Sequence, residues 1–299
     1  MSDPSTPLQV EHLEPDLRLL RCANPSPMTY TGTNTYLLGR TDIAVIDPGP
    51  DDAAHLQAIL AAIRPDQRIS HIIVTHSHKD HSPLAAALEQ KTGAPVLAFG
   101  AADAGRSPVM KRLALQGLQD GGEGIDWEFC PTHTVKDGDT ITGKDWELTV
   151  LHTPGHLGNH ICLAWNEACF TADHVMGWAS SLVSPPDGDL TDFMASCRRL
   201  AQCNWRIFYP GHGAPITTPN TRLNWLIEHR LTRETAIIEA LTRKPMTAEA
   251  LALAIYSDID AKLLPAATRN VLAHLIDLYG KNRVIFSDPL SQASLFSLA

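Results

Sequence analysis

Residues Ser70–His81 read SHIIVTHSHKDH, and this stretch decides the fold. Its first half, with Ile72, Ile73, Val74 and Thr75, is a short β-branched run that reads as a strand. Its second half is H-x-H-x-D-H, four ligand-type side chains within six residues. In extended chain, residues i and i+2 point the same way, so His76 and His78 can converge on one ion. Asp80 and His81 stand where the chain turns toward a following helix and can face a second ion. Imidazole nitrogen with carboxylate oxygen suits Zn²⁺, or Mn²⁺ or Fe²⁺, whereas Mg²⁺ or Ca²⁺ asks for mostly oxygen donors. A merely solvated polar loop is the weaker reading of so dense a motif directly after an apolar run.

Upstream, GTNTYLLG (Gly32–Gly39) and TDIAVIDPGP (Thr41–Pro50) read as two strands joined by a Gly-Arg-Thr-Asp turn. Apolar residues recur at helical spacing over Ala53–Ile63, and an alanine-rich helix is predicted from about Pro83 to Gln90, before a strand at Pro95–Gly100. This alternation implies a layered α/β architecture. Residues 101–125 read as a surface excursion near the mouth of a site. Trp146–Gly155, His160–Trp165 and Ala168–Val175 are predicted strands, Leu190–Cys203 an amphipathic helix, and Trp205–Gly213 a strand ending in a glycine-flanked histidine. Helices follow at about 221–241, 247–256 and 266–278, with a short wing strand at Lys281–Phe286. The predicted organisation is a main domain over 1–217, a linker helix over 218–244 and a small helical module over 245–299.

Composition narrows the function classes. The 299 residues are 44% hydrophobic and 19% charged with a mean hydropathy of −0.09, as expected of a globular chain. No apolar run approaches the roughly 18 residues of a membrane span. The start, MSDPSTPLQVEHLEPD, has neither a basic nor an apolar leader region. Six scattered cysteines without a C-x-x-C pair read as reduced thiols, so a cytoplasmic location with no membrane partner is expected. Nothing in the sequence fixes an oligomeric state. The net charge is −9. Residues 1–217 hold 15 basic against 25 acidic side chains and residues 218–299 hold 9 against 8, which argues against a broad basic coat for nucleic acid. The unusual count is 14 histidines. His156 in TPGH, Asp173 in FTAD and His212 in YPGHG add three more ligand candidates at strand ends, with glycines that let the backbone turn tightly.

THSHKDH, HTPGHLGNH, FTADH and YPGHG stand in the order of the ligand motifs of the metallo-β-lactamase superfamily, which this chain resembles. The resemblance implies a four-layer αββα sandwich and two Zn²⁺ per chain. By that likeness His76, His78 and His156 hold metal 1, Asp80, His81 and His212 hold metal 2, and Asp173 bridges them. Asp47, in VIDPG, supports the ligand loop, and Ala172 departs from the glycine often found before the bridging aspartate. His160 is the second candidate for a role behind the ligands, ahead of His152; alternation turns His174 away. His12, His55, His71, His133, His229 and His274 read as surface or core residues.

Two ions sharing a water would supply a hydroxide nucleophile, with Asp80 as candidate proton donor to the leaving group. The substrate is narrowed by likeness as well. NPSPMTYTGTNTYLLG, the long helix with HRLTRE after YPGHG, and the C-terminal helices resemble the β-lactamase-like protein 2 subgroup across nearly the whole chain. That subgroup's mitochondrial member cleaves single-stranded RNA, and its C-terminal part resembles a winged helix. The implied function is a phosphodiesterase on RNA, with Lys79, Lys111, Arg112, Arg198 and Arg199 as candidate phosphate contacts. The acidic balance tempers this, and the alternative, hydrolysis of a small-molecule ester or thioester (acyl-CoA, acylglutathione or polyketide-type) as in glyoxalase II relatives and polyketide-releasing thioesterases, suits such a chain equally well. A true β-lactamase fits less well, given the absent leader and the carboxylate at Asp173, and a non-catalytic scaffold fits poorly with so complete a ligand set.

Overall fold

Two β-sheets meet face to face and bury the main core between them, in a computed structural model that describes residues 10–119, 124–256, 260–286, 290–291 and 293–299. The first sheet runs β1 (Glu11–Glu14), β2 (Leu17–Arg21), β3 (Asn34–Leu38), β4 (Asp42–Ile46), β5 (Arg68–Ile73), β6 (Val96–Ala98) and β7 (His133–Thr134) in spatial order, antiparallel as far as β4 and parallel thereafter. The second contains β8 (Thr140–Thr142), β9 (Glu147–His152), β10 (Ile161–Trp165), β11 (Ala168–Ala172) and β12 (Ile207–Pro210), ordered β12-β11-β10-β9-β8, with β11 and β12 parallel.

Period-two patterning sorts the side chains. Tyr36, Leu38, Ala44, Ile46 and Ile73 face Val150, Ile161, Leu163 and Phe170 across the central layer. Their neighbours Leu37, Ile43, Val45 and Ile72 point outward against α1 (Ala53–Ala61) and α2 (Leu84–Thr92). On the opposite side Cys162, Cys169 and Phe208 point outward. They meet α4 (Leu190–Leu200) and the first half of α5 (Pro219–Leu241), the helices that follow α3 (Pro108–Leu115) in the chain. The result is the expected four-layer αββα arrangement.

The C-terminal part has its own core. α6 (Ala248–Ile255), a 3-10 turn at Ala261–Leu263, α7 (Leu264–Gly280) and the antiparallel pair β13 (Val284–Phe286) and β14 (Phe296–Leu298) pack Leu251, Leu272, Leu275 and Phe296 together. α5 is more than a spacer, because Leu223 and Leu226 belong to the second sheet's outer core while Ile237 and Leu241 belong to the C-terminal core. The excursion after residue 100 holds α3, capped by Ser107 and started by Pro108, and its Met110 and Leu113 join that same C-terminal core. Residues 120–123 of it lie outside the described residues.

The strand read over Ala168–Val175 stops at Ala172, which takes a left-handed φ of 42° and breaks the ladder. That break lifts Asp173 off the sheet edge. The short strands β1, β7, β8 and β14 were not legible in the hydropathy pattern.

Candidate metal centre

Every proposed ligand follows the end of a strand, and the strands end on one rim. Asp47 leaves β4, His76 to His81 leave β5, His156 lies in the turn between β9 and β10, Asp173 leaves β11, and His212 leaves β12. Donor atoms of His76, His78, His156 and Asp173 all lie within 4.8 Å of one another, as do those of Asp80, His81 and His212. His78 Nδ1 is 3.1 Å from both His76 Nε2 and His156 Nε2. His212 Nε2 is 3.1 Å from Asp80 Oδ2 and 3.4 Å from His81 Nε2. Donors at about 2.0–2.1 Å from a tetrahedral ion stand about 3.3 Å apart, so these are spacings of a coordination shell. The Asp173 carboxylate spans the two groups: Oδ2 is 3.7 Å from His156 Nε2 and 3.3 Å from His212 Nε2, and Oδ1 is 3.5 Å from His81 Nε2.

Outer partners fix which nitrogen faces inward. His156 Nδ1–H donates to the Leu182 carbonyl at 2.7 Å and His212 Nδ1–H to the Gly32 carbonyl at 3.2 Å. His81 Nδ1–H donates to Asp47 Oδ2 at 3.0 Å. Thr75 donates its hydroxyl to the same Asp47 oxygen, leaving its own oxygen to accept His76 Nδ1–H at 3.0 Å. Asp47 therefore holds ligands rather than joining them, with Oδ1 occupied by the Thr75 N–H at 2.8 Å. Carboxylate and carbonyl partners of this kind orient metal-binding imidazoles.

The donor set fits cations. Three buried ring nitrogens, two of them committed to protons on their far side, point at a common centre, and the buried Asp173 Oδ1 has no hydrogen-bond donor. Burial pushes His76 well below and His156 below the ordinary imidazole value, and His78 down to about 3. In the other group burial also opposes charge, yet Asp80, Asp173 and Asp47 hold His81 well above the ordinary value. Against the same burial, Asp173 and hydrogen bonds to Asp173 and Asp80 lift His212 to about 9. Despite burial, His81 and His212 hold Asp80 and Asp173 well below the carboxylate range. One group is a nest of neutral imidazoles, the other a set of carboxylates that demands positive charge.

His160 joins neither donor group. It is buried with Nδ1 3.0 Å from Thr153 Oγ1, its ring 5.1 Å from that of His76, so it walls the nest from behind. His152 stacks on Phe99 and bonds the Gly158 carbonyl. His174 turns toward Cys197 and Phe193, placed by the turn after Ala172 rather than by strand alternation. Sequence reasoning missed Thr75, Thr33, whose hydroxyl reaches Asp80 Oδ2 at 3.3 Å, and the carbonyls of Leu182 and Gly32.

A cleft of about 790 Å³ opens over the donors. Its walls are Met28, Met176, Leu182, Leu264, Pro265 and Ala266, with Lys79, Lys262 and Arg269 as its cations. Among the five candidate phosphate contacts, Lys79 alone lines it. Arg199 forks onto Asp137, Arg198 borders a separate small cavity beside Arg230, and Lys111 and Arg112 are exposed on α3. No helix among the described residues is long and apolar enough to cross a membrane, and all six cysteines are unpaired.

The chain and its fold match known proteins. Residues 28–212 fit the model of the metallo-beta-lactamase superfamily, and the chain belongs to that superfamily of metal-dependent hydrolases. Residues 247–289 fit the beta-lactamase associated winged helix domain. More particularly, the chain is 30% identical to the beta-lactamase-like protein 2 homolog of Drosophila melanogaster, over 90% of this chain and 89% of the fly protein. It is 28% identical to the atrochrysone carboxyl ACP thioesterase of Aspergillus fumigatus, over 78% of this chain and 67% of that enzyme. A beta-lactamase domain protein from Burkholderia ambifaria shares the fold with a TM-score of 0.79 at 20% identity, over 100% of this chain and 95% of that one.

Proposed function

We propose that His76, His78 and His156 hold one divalent ion, that Asp80, His81 and His212 hold a second with Asp173 shared, and that the centre hydrolyses acyl thioesters of a phosphopantetheine-type carrier. The observation that carries this reading is the lining of the cleft, a largely apolar wall over the donors with three cations and one acid, Glu249, among its polar groups. Bound there, Zn²⁺ or a similar borderline ion supplies Lewis acidity and brings water to a reactive pKa near neutrality. Met28, Met176 and Leu182 take the acyl chain and exclude bulk water. Lys79 and Lys262 meet the carrier's phosphate.

Asp80, held ionised, would face the second ion through Oδ2 and accept the proton of the attacking water at its other oxygen, Oδ1, rather than arriving with one to donate. A thiol has an ordinary pKa of about 8.5 and departs as thiolate with little help, whereas a ribose alkoxide needs a proton delivered. The resemblance to an acyl carrier thioesterase and the acidic main domain support the same reading. Unpaired cysteines suit a reducing compartment such as the cytoplasm.

A second reading, cleavage of single-stranded RNA, is favoured by one feature. Tyr30 and Trp178 stack at 4.9 Å and 12° beside Gly213, next to His212, and such a pair offers a base a platform. The deciding experiment presents purified protein with acyl-CoA, acylglutathione and end-labelled single-stranded RNA, with and without chelator. Chelator-sensitive thiol release from acyl-CoA with intact RNA is expected. RNA cleavage with intact thioesters overturns the reading.

A further inference from the structure

α5 and α7 grip the segment Ser181–Ser184 at three of its four residues. Arg230 of α5, only 1% exposed, donates through Nη2 to the Ser181 carbonyl and through Nη1 to Asn270 Oδ1 at 2.9 Å. The same Asn270 oxygen, on α7, accepts the Val183 N–H at 3.0 Å. Arg269 Nε donates to Ser184 Oγ at 2.8 Å. Between these grips stands Leu182, whose carbonyl receives His156 Nδ1–H. Ser181 Oγ in turn donates to the carbonyls of Asp173 and His174, tying the segment to the second strand-end ligand.

Arg230 is costly where it stands. Among the described residues it faces no carboxylate within ion-pair distance, and its guanidinium lies 5.2 Å from the Phe193 ring in a buried layer. An apolar side chain would fill that volume without desolvating a charge. What an apolar side chain cannot do is donate to Ser181 and orient Asn270. The carbonyl that aims His156 is thus set from the helices on the winged-helix side of the molecule, about which the ligand motifs themselves are silent.

We propose that Arg230 and Asn270 are positioning residues of the metal centre: by pinning Ser181 and Val183 on either side of Leu182 they fix the carbonyl that holds His156. Ion retention by the His76, His78 and His156 set then depends on α5 and α7. The proposal rests on the reading of His156 as a ligand.

The test is Zn²⁺ affinity by chelator competition, together with Co²⁺ absorption spectra as a record of coordination, on the full chain. The ion lost in His156→Ala identifies the first set. Asn270→Ala and Arg230→Met should weaken retention at that set by about 10- to 100-fold, the usual effect of losing a group that orients a ligand, and leave the second ion within about 2-fold. Asn270→Asp keeps the acceptor oxygen for both Arg230 and Val183 and should retain the wild-type affinity and spectrum. Unchanged retention in Asn270→Ala overturns the proposal, as does equal weakening of both ions, or equal loss in Asn270→Ala and Asn270→Asp. Should Arg230→Met fail to fold, the Asn270 pair decides alone. Wild-type protein that takes up no ion at the His156 set overturns the reading of the centre, and this proposal with it.

Discussion

His81 is held between two carboxylates: its Nδ1 donates to Asp47 Oδ2 at 3.0 Å, and its Nε2 lies 3.3 Å from Asp80 Oδ2. The outer carboxylate orients the ring and the inner one shares its charge. In Asp47→Asn an amide has to replace a group whose two oxygens accept from the Thr75 N–H, the Thr75 hydroxyl and His81, so one donor is left facing another. Affinity for the second ion should fall by about 10- to 100-fold, with a smaller loss at the first ion, whose His76 Asp47 reaches only through Thr75. Zn²⁺ titration of the variant checks this, and equal retention of both ions contradicts it.

Gly211 gives a steric test. A Cβ there would stand 2.3 Å from Asp173 Oδ1 and 2.8 Å from His81 Cε1. Gly211→Ala should destabilise the fold by about 1–3 kcal/mol and abolish uptake of the second ion. Gly177→Ala is the control, since its Cβ would meet nothing closer than Ile216 Cγ1 at 3.4 Å. Thermal unfolding of both variants separates the cases; a Gly211→Ala protein as stable as Gly177→Ala contradicts the packing described.

The sequence displayed the chemistry of the centre more fully than its support. His76, His78, Asp80 and His81 announce themselves because one strand exit carries all four, and the glycine before His156 and His212 marks the other turns. Thr75, Leu182 and Gly32 act through a hydroxyl or a backbone carbonyl that other residue types could supply, so no spacing betrays them. The central strands read as short, near-continuous apolar runs because both their faces are buried, whereas β7 has two residues, both exposed, and β8 buries only Ile141. The double role of α5 was hidden because each half of the helix meets a different core.

Proton linkage follows from His212. Folding without metal raises its pKa from 6.5 to about 9, so the protonated form is favoured in the folded state. The stabilisation is present in full below about pH 6.5 and is lost as the pH rises through about 9, a contribution on the order of 3 kcal/mol. In chelator, urea unfolding of wild type should therefore lose stability over this window relative to His212→Asn. Zn²⁺ displaces the same proton, so affinity for the second ion should climb over the same range. Parallel pH profiles of wild type and variant contradict the linkage.

Asp80 lies on the floor of the cleft, 3.1 Å from His212 and within reach of Thr33. Asp80→Asn takes away a carboxylate that both faces the second ion and receives the proton, and thioester turnover should drop by about 10²-fold or more with the fold intact by circular dichroism, also at Zn²⁺ concentrations that keep both ions bound. Undiminished turnover contradicts the role given to this carboxylate.

The most direct measurement is anomalous diffraction at the zinc edge from crystals of the full chain grown with Zn²⁺. The expected map shows two peaks, one at bonding distance from His76 Nε2, His78 Nδ1 and His156 Nε2, the other from Asp80 Oδ2, His81 Nε2 and His212 Nε2, with Asp173 reaching both. A single peak, or peaks away from these seven residues, would contradict the two-ion centre.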